Sequence, residues 1–326
     1  MSVVGSIILP SLGLHTSLST LAYATSRAAG RLEGKDWLWP SGLVASAWYH
    51  GVLQHVLQQN VSLSSALGNL NNTQKLVLGA VTLWGGRLFY RIAKRSIQRR
   101  SDDPRYTDAT KTSSAWNKAF YAKFLPEAVF QTIIGLSYTI PLNGFVTSGI
   151  ISAPQRYAGL WHSVAVALYA VGLGMEVIAD WQLEVGKDSG QLQRSGVWSI
   201  VRHPKPINRI GPTATVSYLG DALVHFSIPI LLYADSRLHP LCLFGPLANY
   251  AFLRFVGGDK ENEASQEARY AQSKSPKYAQ LKQWQSEKNS FWPSLKEVGN
   301  VWSVGLVLAG TAVALGERYI RTSRVL

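Results

Sequence analysis

The chain has 326 residues, of which 47% are hydrophobic and 16% are charged, and its mean hydropathy is close to zero. Its net charge of +13 would suit a nucleic-acid-binding protein, but such a protein needs a basic face on a soluble module, and here the Lys and Arg residues lie between long apolar stretches. The single cysteine, Cys242, excludes an intramolecular disulfide framework and a zinc site built from cysteines.

Several apolar runs approach or reach the roughly 20 residues that a helix needs to cross about 30 Å of hydrocarbon. The sequence therefore predicts an all-α fold, a polytopic membrane bundle of about eight transmembrane helices. The predicted spans lie near residues 3–25, 38–58, 76–93, 126–151, 158–179, 212–234, 239–256 and 299–316. No basic segment precedes the first run, and the run is long for a signal peptide, so we interpret it as a retained span.

The positive charges between these spans are distributed unequally. When alternate loops are assigned to opposite sides of the membrane, one side holds 23 Lys and Arg residues and the other holds 6. The basic side consists of residues 26–36, 94–124, 180–211 and 257–298. The positive-inside rule places this side in the cytosol and both termini on the opposite side. Two acceptor patterns for N-glycosylation, at Asn60 and Asn71, lie on that opposite side and agree with the orientation.

The chain shows no internal repeat, low-complexity tract or linker long enough to separate soluble domains. We therefore predict one membrane-embedded organisation in three parts. Residues 1–74 form N-terminal transmembrane helices, residues 75–298 form the main membrane domain, and residues 299–326 form a C-terminal transmembrane helix with a short tail.

Asp221 and His225 are the candidate catalytic residues. Ionisable side chains inside a membrane span cost several kcal/mol, so each is a functional candidate. These two lie four residues apart on one helical face, beginning roughly 14 Å along their predicted span. An imidazole oriented by an aspartate could donate a proton in a membrane pocket. The alternative is a hydrogen-bonded pair that fixes helix packing.

Glu176 and Asp180 form a second pair, at the cytosolic end of the fifth predicted span. Two carboxylates above a basic loop could bind the ribose or amide of a cofactor, or they could pair with Arg87 and Arg91. A histidine metal site is not predicted, because His50 and His55 are five residues apart and would lie about 140° from one another on a helix.

The segment Ser195–Pro204 in the third basic loop concentrates Gly196, Trp198, Arg202 and His203. Glycine permits close backbone approach, tryptophan offers a stacking face, and the Arg-His pair can bind phosphate oxygens. The alternative is an interfacial loop that binds the headgroups of membrane lipids.

A series of motifs resembles the steroid 5-alpha-reductase-like membrane proteins, and in particular their uncharacterised branch with a reductase-type C-terminal domain. The series covers roughly residues 75–295 in the expected order. It consists of L-W-G-G-R-L (83–88), D-D-P-R-Y (102–106), G-M-E-V-I-A-D-W-Q (174–182), G-V-W-S-I-V-R-H-P (196–204), S-P-K-Y (275–278) and F-W-P (291–293).

This resemblance implies a cytosol-facing NADPH pocket and reduction of an activated carbon–carbon double bond in a steroid, sterol or other lipid. It implies that Glu176 and Asp180 lie near the adenosine half of the cofactor and that Tyr278 belongs to a cofactor lid. The residues that resemble the phosphate-binding cations are Lys187, Arg194 and Arg202. We expect an integral, multi-pass protein of the endoplasmic reticulum, with a lipid substrate and without nucleic acid or a metal as partner.

One part of the chain departs from the family pattern. After R-H-P the family continues N-Y-F-G-E, whereas this chain reads K-P-I-N-R, so Lys205 and Arg209 replace an Asn and a Glu expected near the nicotinamide. Either Asn208 and the added cations hold the cofactor differently, or the hydride-transfer end is lost and the chain is a non-catalytic lipid-binding relative. A lipid or isoprenylcysteine-type methyltransferase that uses S-adenosylmethionine is a further alternative, because the R-H-P segment also occurs in that superfamily.

Overall fold

The computed structural model describes residues 2–99, 102–103, 106, 112–144, 148–186, 192–201, 218–256, 259–275 and 277–323. Within these residues the regular secondary structure is helical, apart from an isolated β-bridge between Ile151 and Leu238. The predicted all-α fold is confirmed. The α-helices of the first half are α1 (Leu9–Ala29), α2 (Gly34–Trp48), α3 (Gln54–Gln59), α4 (Leu63–Gly68), α5 (Asn72–Arg99), α6 (Ser113–Ala119) and α7 (Leu125–Asn143).

The second half of the chain continues in the same helical manner. Its α-helices are α8 (Gln155–Val185), α9 (Tyr218–Ala234), α10 (Phe244–Ala251), α11 (Asp259–Gln272), α12 (Lys277–Glu287), α13 (Leu295–Val298) and α14 (Val301–Ser323). Short π-helical turns precede α1, α3 and α7 and follow α10, and 3-10 turns lie at Gly196–Ser199 and Pro240–Leu243.

Three helices among the described residues are long and apolar enough to cross a membrane, namely Val4–Ala29, Gln155–Val185 and Val301–Ser323. Tyr218–Ala234 and Pro240–Val256 are shorter apolar helices. All five coincide with predicted spans, which supports a membrane helix bundle. The number of eight spans remains a prediction.

One predicted span is too long. The apolar run 126–151 predicted a helix to its end, but α7 stops at Asn143, and Gly144 follows with a φ of 74°. This left-handed backbone conformation is one that glycine adopts readily and that ends helices, so a glycine inside an apolar run marks the boundary here.

The chain forms two compact units. Unit 1 contains Met1–Trp161 and Ile228–Asn249, and unit 2 contains His162–Ser227 and Tyr250–Leu326. Helices α8 and α9 therefore pass from one unit to the other. The sequence predicted a division into residues 1–74, 75–298 and 299–326. That division is based on the order of apolar segments along the chain and not on contacts in space, and it remains a prediction.

In unit 1, helices α1, α2, α5 and α7 pack against one another. The first glycine of the L-W-G-G-R-L motif is required for this packing. A Cβ atom at Gly85 would lie 2.4 Å from Cγ2 of Val44 and 3.2 Å from the carbonyl oxygen of Pro40. Trp84 beside it is 1% exposed. The motif therefore brings α5 close to α2.

Asp102 and Tyr106 of the D-D-P-R-Y motif contact the beginning of α2 and the turn before it. The Asp102 carboxylate accepts hydrogen bonds from the backbone N–H groups of Leu32 and Glu33, at 2.9 and 3.0 Å. The Tyr106 hydroxyl donates to Oδ1 of Asp36 at 2.8 Å. Because the first N–H groups of a helix lack partners within it, a carboxylate at this position stabilises the beginning of α2.

In unit 2, helices α8 and α9 approach each other at a glycine. A Cβ atom at Gly172 would lie 2.6 Å from the carbonyl oxygen of Gly220 and 2.9 Å from the backbone nitrogen of Val224. Helix α14 contacts α8 in the same manner, because a Cβ atom at Gly310 would lie 2.8 Å from the carbonyl oxygen of Ala167. Such small residues allow membrane helices to pack backbone against backbone.

We expect the Gly172→Ala variant to unfold at a lower temperature than the wild type, with a loss of about 1–3 kcal/mol, because its methyl group would overlap the backbone of α9. Gly159→Ala in the same helix is the matched control, since a Cβ atom there would meet no heavy atom of the described residues within 4 Å. Thermal unfolding of both variants in detergent tests this. Equal unfolding temperatures would contradict the close approach at Gly172.

Candidate functional site

The candidate site residues that the structure describes lie in unit 2, around one apolar core. Trp198, Trp284 and Phe291 in this core are each 1% exposed or less, and they come from three segments that are distant in the sequence. Met175 and Ala179 of α8 and Leu219 and Ala222 of α9 complete its centre. Because α8 and α9 both contribute to the core, the polar residues on these two helices are held at fixed positions.

Glu176 and Asp180 lie in the C-terminal half of α8. Glu176 is buried, with 1% of its surface exposed, while Asp180 one turn later is half-buried. The two carboxylates share the helix face predicted from their spacing. Glu176 also lies one turn after Gly172, the residue at which α8 meets α9.

The Gly196–Ser199 turn is held against the end of α8. The side-chain oxygen of Gln182 accepts a hydrogen bond from the backbone nitrogen of Val197 at 3.1 Å. Gly196 has a φ of 74°, and a Cβ atom on it would lie 2.1 Å from Nε2 of Gln182. Both the conformation and the space therefore require glycine. Trp198 is fully buried, so it packs in the core instead of presenting the stacking face that the sequence suggested.

Arg194 lies just before this turn and forms an ion pair with Glu287 of α12 at 2.8 Å. Both side chains are partly exposed, at 34% and 44%. An exposed pair of this kind contributes about 0–1 kcal/mol to stability. The Arg194 guanidinium can therefore exchange its carboxylate for a phosphate group at little cost.

Tyr278 lies in the first turn of α12 and is half-buried. Helix α12 packs on the core of unit 2 through Trp284, and Leu281 on the same helix is also buried. Beside Tyr278, burial lowers the pKa of the Lys277 ammonium. One turn further, a hydrogen bond to Glu267 raises the pKa of the Lys282 ammonium and connects α12 to α11. The segment that carries Tyr278 is thus anchored on both sides.

Asp221 and His225 are fully buried in the first two described turns of α9, at 0% and 1% exposure. The Nε2 atom of His225 lies 3.4 Å from Oδ1 of Asp221, so the two residues are neighbours, as their spacing predicted. The predicted depth of the pair depends on residues 212–217, which lie outside the described residues.

Four candidate cofactor-binding residues lie outside the described residues, namely Lys187, Arg202, His203 and Asn208. The K-P-I-N-R segment at 205–209 lies there as well. The structure therefore describes the acidic side of the candidate site, the Gly196–Ser199 turn and the segment of Tyr278.

A group of buried polar side chains in unit 1 was not singled out by the sequence analysis. Ser11 Oγ lies 2.8 Å from Nε2 of His50, whose Nδ1 lies 3.1 Å from Oε1 of Gln54. Asn143 donates to the same Gln54 oxygen at 2.9 Å. His55 lies on another face, where it contacts Gln59 at 3.1 Å. The available signal was the four-residue spacing of polar residues within apolar runs, such as His50 and Gln54.

The same unit contains a buried ion pair and a second histidine. Nζ of Lys35 lies 3.5 Å from Oε2 of Glu127, and both residues are less than 9% exposed. One turn along α7, the Gln131 amide neighbours both Glu127 and His15 of α1. These side chains form a second polar group in the interior of unit 1.

A comparison with protein families matches residues 22–284 to a family described as a protein of unknown function, DUF1295. The chain belongs to the DUF1295 family. No curated protein and no solved structure matches the chain. The DUF1295 match includes every candidate site residue, from Glu176 to Tyr278. It also includes the residues of both buried polar groups of unit 1, apart from Ser11 and His15.

Proposed function

We propose that this DUF1295 protein is a membrane-embedded, NADPH-dependent reductase of a carbon–carbon double bond in a steroid, sterol or other lipid. The observation that carries the proposal is the convergence of three sequence segments in unit 2. The buried Glu176, the Gly196–Ser199 turn and the buried Asp221–His225 pair all adjoin one core. The motif series at residues 75–295 and the family match at 22–284 cover these segments, which adds support.

The described donors and acceptors fit a phosphorylated dinucleotide. The carboxylates of Glu176 and Asp180 can accept hydrogen bonds from ribose hydroxyl groups or an adenine amino group. Arg194 can bind a phosphate when it leaves its exposed pair with Glu287. Lys187, Arg202, His203 and Asn208 would add the further cations and polar groups that the extra phosphate requires. When bound, NADPH would supply a hydride to one carbon of the double bond.

Asp221 and His225 would supply the proton to the other carbon. In this proposal the Asp221 carboxylate orients the imidazole, and His225 holds the proton at a ring nitrogen directed towards the substrate. The full burial of the pair keeps water away from the proton.

The test is a set of binding and turnover measurements on the full chain in detergent. NADPH binding and its oxidation in the presence of a lipid enone are expected, and S-adenosylmethionine should not compete. Binding of S-adenosylmethionine in place of NADPH would favour a methyltransferase. Absence of binding by either cofactor would favour a non-catalytic lipid-binding relative.

We expect Arg202→Ala to weaken NADPH binding by roughly 1.5–3 kcal/mol, because a charge-assisted hydrogen bond to a phosphate is lost. Arg318→Ala in α14, on the predicted opposite side of the membrane, is the control and should bind NADPH as the wild type does. Titration of the intrinsic fluorescence measures both affinities. An unchanged affinity in the Arg202 variant would remove this residue from the cofactor site.

A further inference from the structure

Helix α1 of unit 1 is an apolar span whose buried face is polar. The buried residues of this helix are Ser11, His15, Ser19 and Ser26. Its large apolar side chains lie outside, where Leu9 and Leu21 are 58% and 63% exposed. Polar and ionisable side chains in membrane spans face the interior of a bundle, where they mark ion pathways and proton relays. The buried face of α1 is therefore a candidate for such a pathway.

The polar face continues on the two helices that pack against α1. Helix α2, the π-helical turn after it and α3 form one continuous helix. Its buried polar side chains include Lys35, Ser46, His50 and Gln54. Those of α7 include Glu127, Gln131 and Asn143. From Lys35 to Gln54 the continuous helix rises roughly 28 Å at about 1.5 Å per residue, close to the roughly 30 Å of hydrocarbon in a bilayer. The polar interior of unit 1 thus extends over the depth of a membrane.

One end of this interior carries ionisable groups. The charged groups that face the buried Glu127 carboxyl group are Lys35 and Asp36. Nζ of Lys35 lies 3.5 Å from Oε2 of Glu127 and 3.3 Å from Oδ1 of Asp36, whose side chain is 14% exposed. The Gln131 amide lies beside both Glu127 and His15. This end therefore connects a partly exposed carboxylate to the imidazole of α1.

The other end is a hydrogen-bonded chain that reaches the surface. His15 is close enough to His50 for the charges of the two rings to interact. Nε2 of His50 lies 2.8 Å from Oγ of Ser11, and its Nδ1 lies 3.1 Å from Oε1 of Gln54. Gln54 in turn donates to the exposed Gln58 at 3.4 Å. Because the two ring nitrogens of His50 have separate partners, the imidazole can accept a proton at one nitrogen and release the proton of the other.

Two buried serines add hydroxyl groups beside these histidines. Ser19 lies one turn from His15 on α1, and Ser46 lies one turn from His50 on α2. Neither hydroxyl has a hydrogen-bond partner among the described residues. Buried polar groups are nearly always hydrogen-bonded, commonly to water, and a hydroxyl group both donates and accepts. The serines therefore suit a path along which water passes protons between side chains.

We propose that unit 1 conducts protons across the membrane through Glu127, His15 and His50. A proton taken up from water near Asp36 displaces one along the chain, and a proton is released near Gln58, so each group regains its protonation state. Passage from group to group needs no cavity wide enough for a lipid or a hydrated cation. The activity is independent of the chemistry proposed for unit 2. Its test contains neither NADPH nor a lipid substrate, so its failure is distinct from a failure of the reductase proposal.

The experiment measures proton flux into liposomes of phosphatidylcholine and phosphatidylglycerol that contain the full chain, potassium and the pH-sensitive dye pyranine. Valinomycin in an external sodium buffer of equal pH makes the interior negative and draws protons inward. We expect the interior to acidify faster than that of protein-free liposomes. Equal rates of acidification would overturn the proposal, whatever the variants do.

His15→Gln and His50→Gln should each lower the rate of acidification by about tenfold or more, because a positioned group that transfers protons is lost. Glutamine still donates and accepts hydrogen bonds, so the unfolding temperature should stay close to that of the wild type. His55→Gln is the matched control. His55 lies on another face of the same continuous helix, where it contacts Gln59 at 3.1 Å, and its variant should conduct as the wild type does.

A second pair of variants removes a hydroxyl group in place of an imidazole. Ser11→Ala removes the partner of His50 and should also lower the rate. Ser17→Ala should not, because the Ser17 hydroxyl is exposed and donates to the Gly13 carbonyl oxygen of its own helix at 2.8 Å. Alanine is the best helix former, so both variants should fold. Wild-type flux in both His15→Gln and His50→Gln, or an equal loss of flux in the two control variants, would contradict the proton path.

Discussion

Replacing His225 with phenylalanine should lower the rate of lipid-dependent NADPH oxidation by about 100-fold or more, while NADPH affinity stays nearly unchanged. General acid catalysis by a positioned side chain typically contributes this factor. The imidazole lies 3.4 Å from the Asp221 carboxylate and both are buried, so no solvent group can replace it readily. The measurement pairs turnover with thermal unfolding of the same preparation.

His162→Phe is the matched control for this variant. His162 is also buried in unit 2, at 3% exposure, and its Nε2 atom lies 3.1 Å from a carboxylate oxygen of Glu317. Its replacement should lower the unfolding temperature and leave turnover per folded molecule unchanged. If His225→Phe behaves in this same way, the Asp221–His225 pair fixes helix packing and the catalytic hypothesis is wrong.

The fold class could be predicted because apolar runs of about 20 residues have few alternatives to membrane helices. The limits of the helices were less predictable. The run 126–151 contains no charged residue after Glu127, yet α7 ends at Asn143, because Gly144 adopts a left-handed conformation. Hydrophobicity indicates which segments can lie inside a membrane. The end of a helix depends instead on the backbone conformation of a single residue.

Within the site, contacts along one helix were predictable and contacts between helices were not. The spacing of Asp221 and His225 predicted neighbours, and the two lie 3.4 Å apart. In contrast, the contact of Gly172 with α9 leaves no signal in one sequence, because glycine has no side chain whose chemistry could be interpreted. For the same reason, the sequence did not predict the position at which Gly42 lies against Gln131.

The sequence contains a pattern that indicates the buried polar residues of unit 1, but the predictions did not use it. Ser11 and His15 are four residues apart, as are Glu127 and Gln131, so each pair lies on one helix face within an apolar run. Such pairs indicate a polar interior face. Which pairs meet across helices depends on the packing of α1, α2 and α7, and this requires the structure.

The D-D-P-R-Y motif shows how a family signature can have a structural cause. The sequence analysis placed it in the series of motifs that resembles the steroid 5-alpha-reductase-like proteins, and it assigned no role to the residues of this motif. In the structure Asp102 accepts backbone hydrogen bonds at the start of α2, and Asp103 lies 3.0 Å from Nη1 of Arg99. The two aspartates of the motif therefore contact the turn before α2 and the end of α5, and Arg99 forms ion pairs with both Glu33 and Asp103.

Replacing Arg99 with methionine should destabilise the protein by about 3–5 kcal/mol, the cost of breaking a buried ion pair from one side. The Arg99 side chain is 2% exposed and binds two carboxylates, Glu33 at 3.2 Å and Asp103 at 3.0 Å. These carboxylates are 7% and 1% exposed, so water cannot take the place of the guanidinium. Folded yield and thermal unfolding in detergent measure the loss.

Two further variants separate the loss of this ion pair from the loss of a long side chain. Arg27→Met removes an arginine that is exposed and hydrogen-bonded to Tyr23 and Asn117, and it should cost less than about 1 kcal/mol. Adding Asp103→Asn to Arg99→Met should recover part of the stability, because the second change removes the buried charge of Asp103, whose ion pair with Arg99 the first change breaks. A double variant less stable than Arg99→Met would show instead that Asp103 is stabilised mainly by its other contacts, and that Arg99 acts through packing of its aliphatic stem.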